Sequence, residues 1–152
     1  MEIAGVENEK KKVLIVEDES ICQLVLRVYL KKYPIEARFC GDAEAGLACL
    51  DEFQPDLILM DLVLPRMDGI AAIEQIRHRA AFRRTPIIVT TTMNDSITSI
   101  EARESGANSY LVKPLRFSDV EQLLEKFLGV ASAPSETDDQ DGRFHESLGP
   151  AA

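Results

Sequence analysis

Residues Asp56–Gly69 read DLILMDLVLPRMDG. Leu57, Ile58, Leu59 and Met60 form an unbroken apolar run of strand length, and a run without polar alternation fits a strand buried on both faces. The run stops on one acid, Asp61. Leu62, Val63, Leu64 and Pro65 follow, and Asp68-Gly69 marks a turn. A carboxylate at the carboxyl end of a buried parallel strand stands where open α/β sheets bind ligands.

Upstream, Val13–Val16 (VLIV) is a second buried-strand candidate, preceded by Lys10, Lys11 and Lys12 and stopped by Glu17-Asp18. Asp18, Glu19 or Ser20 can cap the next helix, in which Ile21, Leu24, Val25, Val28 and Tyr29 recur at helical spacing. Pro34 ends it by about residue 32. Ile35–Cys40 alternates like an edge strand, Gly41-Asp42 is a turn, and Ala43–Phe53 is a short helix. Downstream, a helix is expected over Gly69–His78 with Ile70, Ile73 and Ile76 on one side. Arg77–Arg84 holds four arginines, read as a solvated helix end and loop. Ile87-Ile88-Val89 is a strand ending in Thr90-Thr91-Thr92. A weak helix over 95–104, where Ser and Thr compete for the backbone, closes at Gly106. Ser109–Val112 is a fifth strand ending on Lys113-Pro114, and Ser118 or Asp119 starts a last amphipathic helix through Leu128.

Short strands separated by single helices imply parallel pairing with right-handed crossovers, hence a doubly wound α/β sandwich. The expected organisation is a flexible stretch 1–10, a domain 11–128, and an acidic, disordered tail 129–152. That tail carries Glu136, Asp138, Asp139, Asp141 and Glu146 against Arg143, a net of −4 within the chain total of −9. The acid excess argues against a nucleic-acid partner. Cys22, Cys40 and Cys49 show no metal-ligand spacing and read as reduced thiols. No secretory signal or bilayer-length apolar run is present, so a cytoplasmic location is expected.

The chemistry lies in a convergence. Four apolar runs end on Glu17-Asp18, Asp61, the three threonines and Lys113, and a parallel sheet brings all its carboxyl ends to one edge. Clustered carboxylates repel one another unless a cation intervenes. Hard oxygen ligands suit Mg²⁺, or Mn²⁺ in its place. A carboxylate beside a divalent cation, with a lysine and a hydroxyl across from it, is arranged to attack phosphorus.

The residues that carry this also carry a resemblance. Through VLIVED, DLILMDLVLPRMDG, PIIVTT and GANSYLVKP, the chain over residues 11 to 128 resembles the receiver domain of bacterial two-component response regulators. The resemblance implies a flavodoxin-like five-stranded parallel sheet of order 2-1-3-4-5 with five helices. It implies Asp61 as phosphoacceptor, Thr91 and Lys113 as its partners and Tyr110 as an aromatic switch. It implies Mg²⁺ held by Glu17 through water, by Asp18 and Asp61, and by the backbone carbonyl of Val63. A cis Lys113-Pro114 bond is implied too. The phosphoryl donor would be a sensor histidine kinase or a histidine phosphotransfer protein, and output would pass through protein contacts on the 95–128 face. With a tail this short and polar, the expectation is a single-domain regulator, a monomer or weak dimer without nucleic-acid or membrane contact.

Three rivals remain. A flavodoxin-like electron carrier would need a phosphate-cradling first loop, which Glu17-Asp18 would repel. A haloacid-dehalogenase-type phosphatase would need a second acid where Val63 stands. A degenerate receiver would act as a constitutive interaction module.

Overall fold

The structure is a computed structural model that describes residues 9–132. In chain order the elements are β1 (Lys11–Val16), α1 (Ser20–Leu30), β2 (Ile35–Cys40), α2 (Ala43–Phe53), β3 (Leu57–Asp61) and α3 (Gly69–Arg77). After a 3₁₀ turn at Ala80–Phe82 come β4 (Ile87–Thr91), α4 (Ser96–Ser105), β5 (Ser109–Val112) and α5 (Phe117–Leu128). The strands form one parallel sheet in the order β2-β1-β3-β4-β5. This is the flavodoxin-like, doubly wound α/β architecture, and β3 occupies its centre.

Strand alternation divides the interior. Leu14, Val16, Ile58, Met60, Ile87 and Val89 face α2, α3 and α4, where Leu50, Ile73, Ile76 and Phe82 meet them. Val13, Ile15, Leu57, Leu59 and Ile88 point the other way, against Leu26 and Leu30 of α1 and Val120, Leu123 and Leu124 of α5. Each fully buried aliphatic side chain of this kind contributes about 1.5–3 kcal/mol. Since both faces are covered, β3 and β4 are buried along their whole length. That is why Leu57–Met60 and Ile87–Val89 run apolar without a break.

Helix starts follow side-chain chemistry. Asp42, Asp68 and Asp95 accept hydrogen bonds from the backbone N–H groups of Ala45, Ala71 and Thr98 at 2.7–2.8 Å, capping α2, α3 and α4. The cap explains how α4 forms from a sequence of weak propensity.

Three local expectations are corrected. Helix α1 buries Leu26 and Leu30, with Val25 and Tyr29 half-buried, whereas Ile21, Leu24 and Val28 are more than half exposed. Apolar residues surround most of this helix, so spacing alone could not say which side turns inward. Helix α5 starts at Phe117, ahead of Ser118 and Asp119, because Asp119 reaches back to accept from the Arg116 N–H at 3.2 Å. Arg77 is no solvated helix end. It donates to the carbonyls of Phe82, Thr85 and Gly106 and to Asn108 Oδ1 at 2.7–3.0 Å, tying α3 to the loop before β5. Residues 1–8 and 133–152, including most of the expected flexible ends and His145, lie outside the described residues. No described helix is long and apolar enough to cross a membrane.

Candidate functional site

Asp61 closes β3 at the middle of the sheet and is 4% exposed. Glu17 follows β1, the neighbouring strand, and its N–H donates to the Cys40 carbonyl at 2.9 Å, so the backbone there is held by β2 as well. Lys113 follows β5, and its N–H bonds to the Thr91 carbonyl at 2.7 Å. The peptide between Lys113 and Pro114 is cis. Three strand ends distant in sequence are thus fixed by ladder bonds before any side-chain interaction is counted.

The side chains meet there. Lys113 Nζ lies 2.7 Å from Glu17 Oε1 and 3.1 Å from Asp61 Oδ2, with Glu19 at 3.9 Å. The other Asp61 oxygen, Oδ1, accepts from the Val63 N–H at 3.2 Å. Glu17 Oε2 accepts from the Glu19 N–H at 3.1 Å. A cavity of about 190 Å³ opens beside them, walled by Asp18, Glu19, Asp61, Val63, Thr92 and Lys113.

Burial raises the pKa of Glu17, opposed by the hydrogen bonds from Lys113 and the Glu19 N–H and reinforced by the charge of Asp61. Burial also works to lower the pKa of Lys113, but its bonds to Glu17 and Asp61 outweigh that and hold it above the ordinary lysine value. The lysine is therefore a fixed positive charge across the working pH range. Two buried carboxylates share it, so the centre is one cation short of balance before Asp18 is added.

Carboxylate oxygens of Glu17, Asp18 and Asp61 lie within 4.8 Å of one another. An all-oxygen set of this size, with Asp18 exposed to solvent, fits a hard divalent cation that keeps part of its water shell. The residues present therefore fit the metal that the sequence implied.

Glu17, Asp18, Asp61, Val63 and Lys113 come together as expected. Thr91 lies at the end of β4 fully buried, its Oγ1 accepting from the Met93 N–H at 3.1 Å, while its neighbour Thr92 forms part of the cavity wall. Tyr110 is half-buried against the α2, α3 and α4 side of the core, and its hydroxyl donates to the Met93 carbonyl. Glu19 and Thr92 also line the cavity, and the sequence does not mark them as cavity residues. Glu19 read only as a possible cap, yet the N-cap of α1 is made without its side chain, which instead accepts from Cys22 Sγ at 3.2 Å. Its alternation with Glu17 was the available signal.

A flavodoxin-like sheet with an acid at the end of the central strand and a lysine beside it defines a class of signal-receiving domain. The chain belongs to the response regulator receiver domain family, whose model matches residues 13–125. It is 40% identical over 105 residues to the transcriptional regulatory protein YdfI of Bacillus subtilis, covering 67% of this chain and 47% of that protein. It is similar to the receiver domain of the sensor histidine kinase PA1611 from Pseudomonas aeruginosa PAO1, a structure with magnesium coordinated in the active-site cleft. The TM-score is 0.73 at 28% identity, covering 80% of this chain and 99% of that one. It is also similar to the Mn²⁺-bound form of response regulator Rcp1, with a TM-score of 0.70 at 28% identity over 82% of this chain and 99% of that one. The chain spans about half the length of the curated relatives YdfI, PdtaR and ResD that it matches. Receiver domains are signalling domains, part of two-component systems, rather than enzymes acting on a metabolite.

Proposed function

We propose that this chain accepts a phosphoryl group on Asp61 from the phosphohistidine of a sensor histidine kinase or a histidine phosphotransfer protein. It would signal through phosphorylation-dependent protein contacts on the 95–128 face. The supporting observation is the position of Asp61, nearly buried at the centre of the sheet edge, with Lys113 at 3.1 Å and two further acids around it.

In the reaction an Asp61 carboxylate oxygen forms a bond to phosphorus as the N–P bond to the donor imidazole breaks. The electron pair goes to that imidazole, which takes up a proton from water, and an acyl phosphate remains on Asp61. Glu17, Asp18, Asp61 and the Val63 carbonyl would hold Mg²⁺, or Mn²⁺, which supplies charge neutralisation at the equatorial oxygens. The Val63 N–H holds Oδ1 of Asp61 and so sets the direction from which the carboxylate meets phosphorus. Lys113, already paired with Asp61, can follow the negative charge onto the phosphoryl oxygens without crossing the cavity.

The route outward starts at one residue. Met93 donates its N–H to Thr91 Oγ1 and accepts at its carbonyl from Tyr110. If Thr91 turns toward a phosphoryl group, the Met93 peptide loses a partner, and Tyr110 and the start of α4 are released together. The phosphoryl group then selects between two packings that the chain already has available.

The test is intact-mass analysis after incubation with acetyl phosphate. With Mg²⁺ the wild type gains one phosphoryl group, whereas Asp61→Asn and the chelator-treated wild type do not. A wild type that stays unmodified while forming no beryllofluoride adduct would make the chain a constitutive interaction module.

A further inference from the structure

A larger cavity, about 470 Å³, lies at the sheet edge between α1 and β2. Leu24, Arg27 and Val28 of α1 with Lys31, which caps its C-terminus, form one wall, and Ala37 and Phe39 of β2 form the other. Leu24 is 60% exposed and Val28 57%, a large apolar surface to leave in water. The Arg27 guanidinium sits 4.1 Å above the Phe39 ring. No acid lines this groove among the described residues. The outer edge of β2 has no strand partner among them either. The groove therefore fits an acidic segment with apolar anchors, able to satisfy cations, apolar wall and open edge at once.

The chain itself supplies such a segment. Val130 packs against the core on the same side of the sheet as α1. Ser132, the last described residue, lies near Tyr33, whose buried hydroxyl makes no hydrogen bond among the described residues, between the end of α1 and the start of β2. The polypeptide thus leaves the described structure at one mouth of the groove, where Leu30, Lys31 and Ile35 lie. The residues that follow include Glu136, Asp138, Asp139, Asp141 and Glu146, opposed only by Arg143, and the apolar anchors Phe144 and Leu148. Twelve extended residues span about 40 Å, and the 11-residue α1 is about 16 Å long. Phe144 can reach any point along the groove.

We propose that segment 136–148 docks in the α1–β2 groove of its own chain, its acids against Arg27 and Lys31 and Phe144 beside Leu24, Val28 and Phe39. Tethering makes a weak contact count, because a short linker holds the segment at an effective concentration on the order of millimolar. The docked segment would cover the apolar stripe of α1 and cap the sheet edge. The inference does not depend on phosphorylation of Asp61.

The chain contains no tryptophan, so full-length Phe144→Trp carries a single reporter. Docking predicts blue-shifted emission and acrylamide quenching several-fold slower than in a free peptide of residues 133–152 bearing the same substitution. Leu24→Asp, at an exposed position, should restore peptide-like quenching. Asp138→Asn, Asp139→Asn and Asp141→Asn together should do the same without touching the folded domain, as should about 1 M salt, where screening is nearly complete. Peptide-like quenching in the unaltered background overturns the proposal, and so does protection that survives both Leu24→Asp and the triple change. Protection that appears only as protein concentration rises a hundredfold would overturn the intrachain contact in favour of exchange between two copies.

Discussion

Gly69 approaches Asp61 so closely that a Cβ added to it would lie 2.3 Å from the Asp61 carbonyl oxygen and 2.8 Å from Leu62 Cα. The first turn of α3 is thus seated directly on the backbone of Asp61, and the Gly69 N–H bonds to the Leu62 carbonyl at 2.9 Å. Backbone cannot give way as a side chain tip can. Gly69→Ala should therefore destabilise the fold by about 1–3 kcal/mol and reduce acetyl-phosphate labelling of Asp61 even in the folded fraction. Gly41→Ala, which meets nothing within 4 Å, is the control expected to stay within about 0.5 kcal/mol of wild type in urea unfolding.

Lys113 is the only cation within ion-pairing distance of Glu17 and Asp61 among the described residues. Replacing it by Met leaves two buried carboxylates facing each other, a loss of about 3–5 kcal/mol when one member of a buried ionic group is removed. Mg²⁺ should return part of that stability, since a ligand that binds only the native state shifts the unfolding equilibrium by mass action. Thermal unfolding with and without Mg²⁺ checks it: the gain should be larger in Lys113→Met than in wild type and absent in Asp18→Asn.

Cys22 illustrates how the acidic edge reaches a neighbouring helix. Burial, the hydrogen bond to Glu19 and the charge of Glu17 push its thiol up to about 11. The raised value means that thiolate is scarce below it and accumulates as pH rises. At pH 8 only about one thiol in a thousand is ionised, and alkylation should speed up roughly tenfold per pH unit until near 11. Glu19→Gln should make Cys22 react faster at fixed pH, read by peptide mapping after iodoacetamide.

Arg77 holds three carbonyls and the Asn108 amide oxygen in a partly buried position. Removing it by Arg77→Met strands acceptors worth ~1 kcal/mol or more each, and the total loss should be about 3 kcal/mol. Arg77→Lys should recover little, because an ammonium cannot reproduce the planar fork. Hydrogen exchange at Ile87, whose N–H donates to Asn108 Oδ1 at 2.8 Å, should rise in both variants.

The parts of this structure that sequence shows plainly are those governed by short-range regularity. The apolar runs of β1, β3 and β4 and the residues terminating them give both the sheet and the acids at its edge, because chain direction alone brings parallel strand ends together. What stays hidden depends on partners far along the chain. Arg77 finds its acceptors up to 31 residues away, and nothing local separates it from the exposed Arg83 and Arg84. Helix α1 has more apolar residues than one buried face needs, so its inward side is chosen by α5 and the sheet. Among three consecutive threonines, the strand's last residue and the cavity-lining residue differ by one position, a distinction that only the backbone path after β4 makes.

The central sheet separates two compartments that share no side chains. Tyr110 belongs with the α2, α3 and α4 compartment and Leu111 with the α1 and α5 compartment. A rearrangement that starts at Met93 and travels through Tyr110 would be taken up by α4 and the sheet edge beside it, leaving α1 in the opposite layer a stationary platform. One flank of the molecule could then change its shape for a listener while the other keeps whatever it is holding.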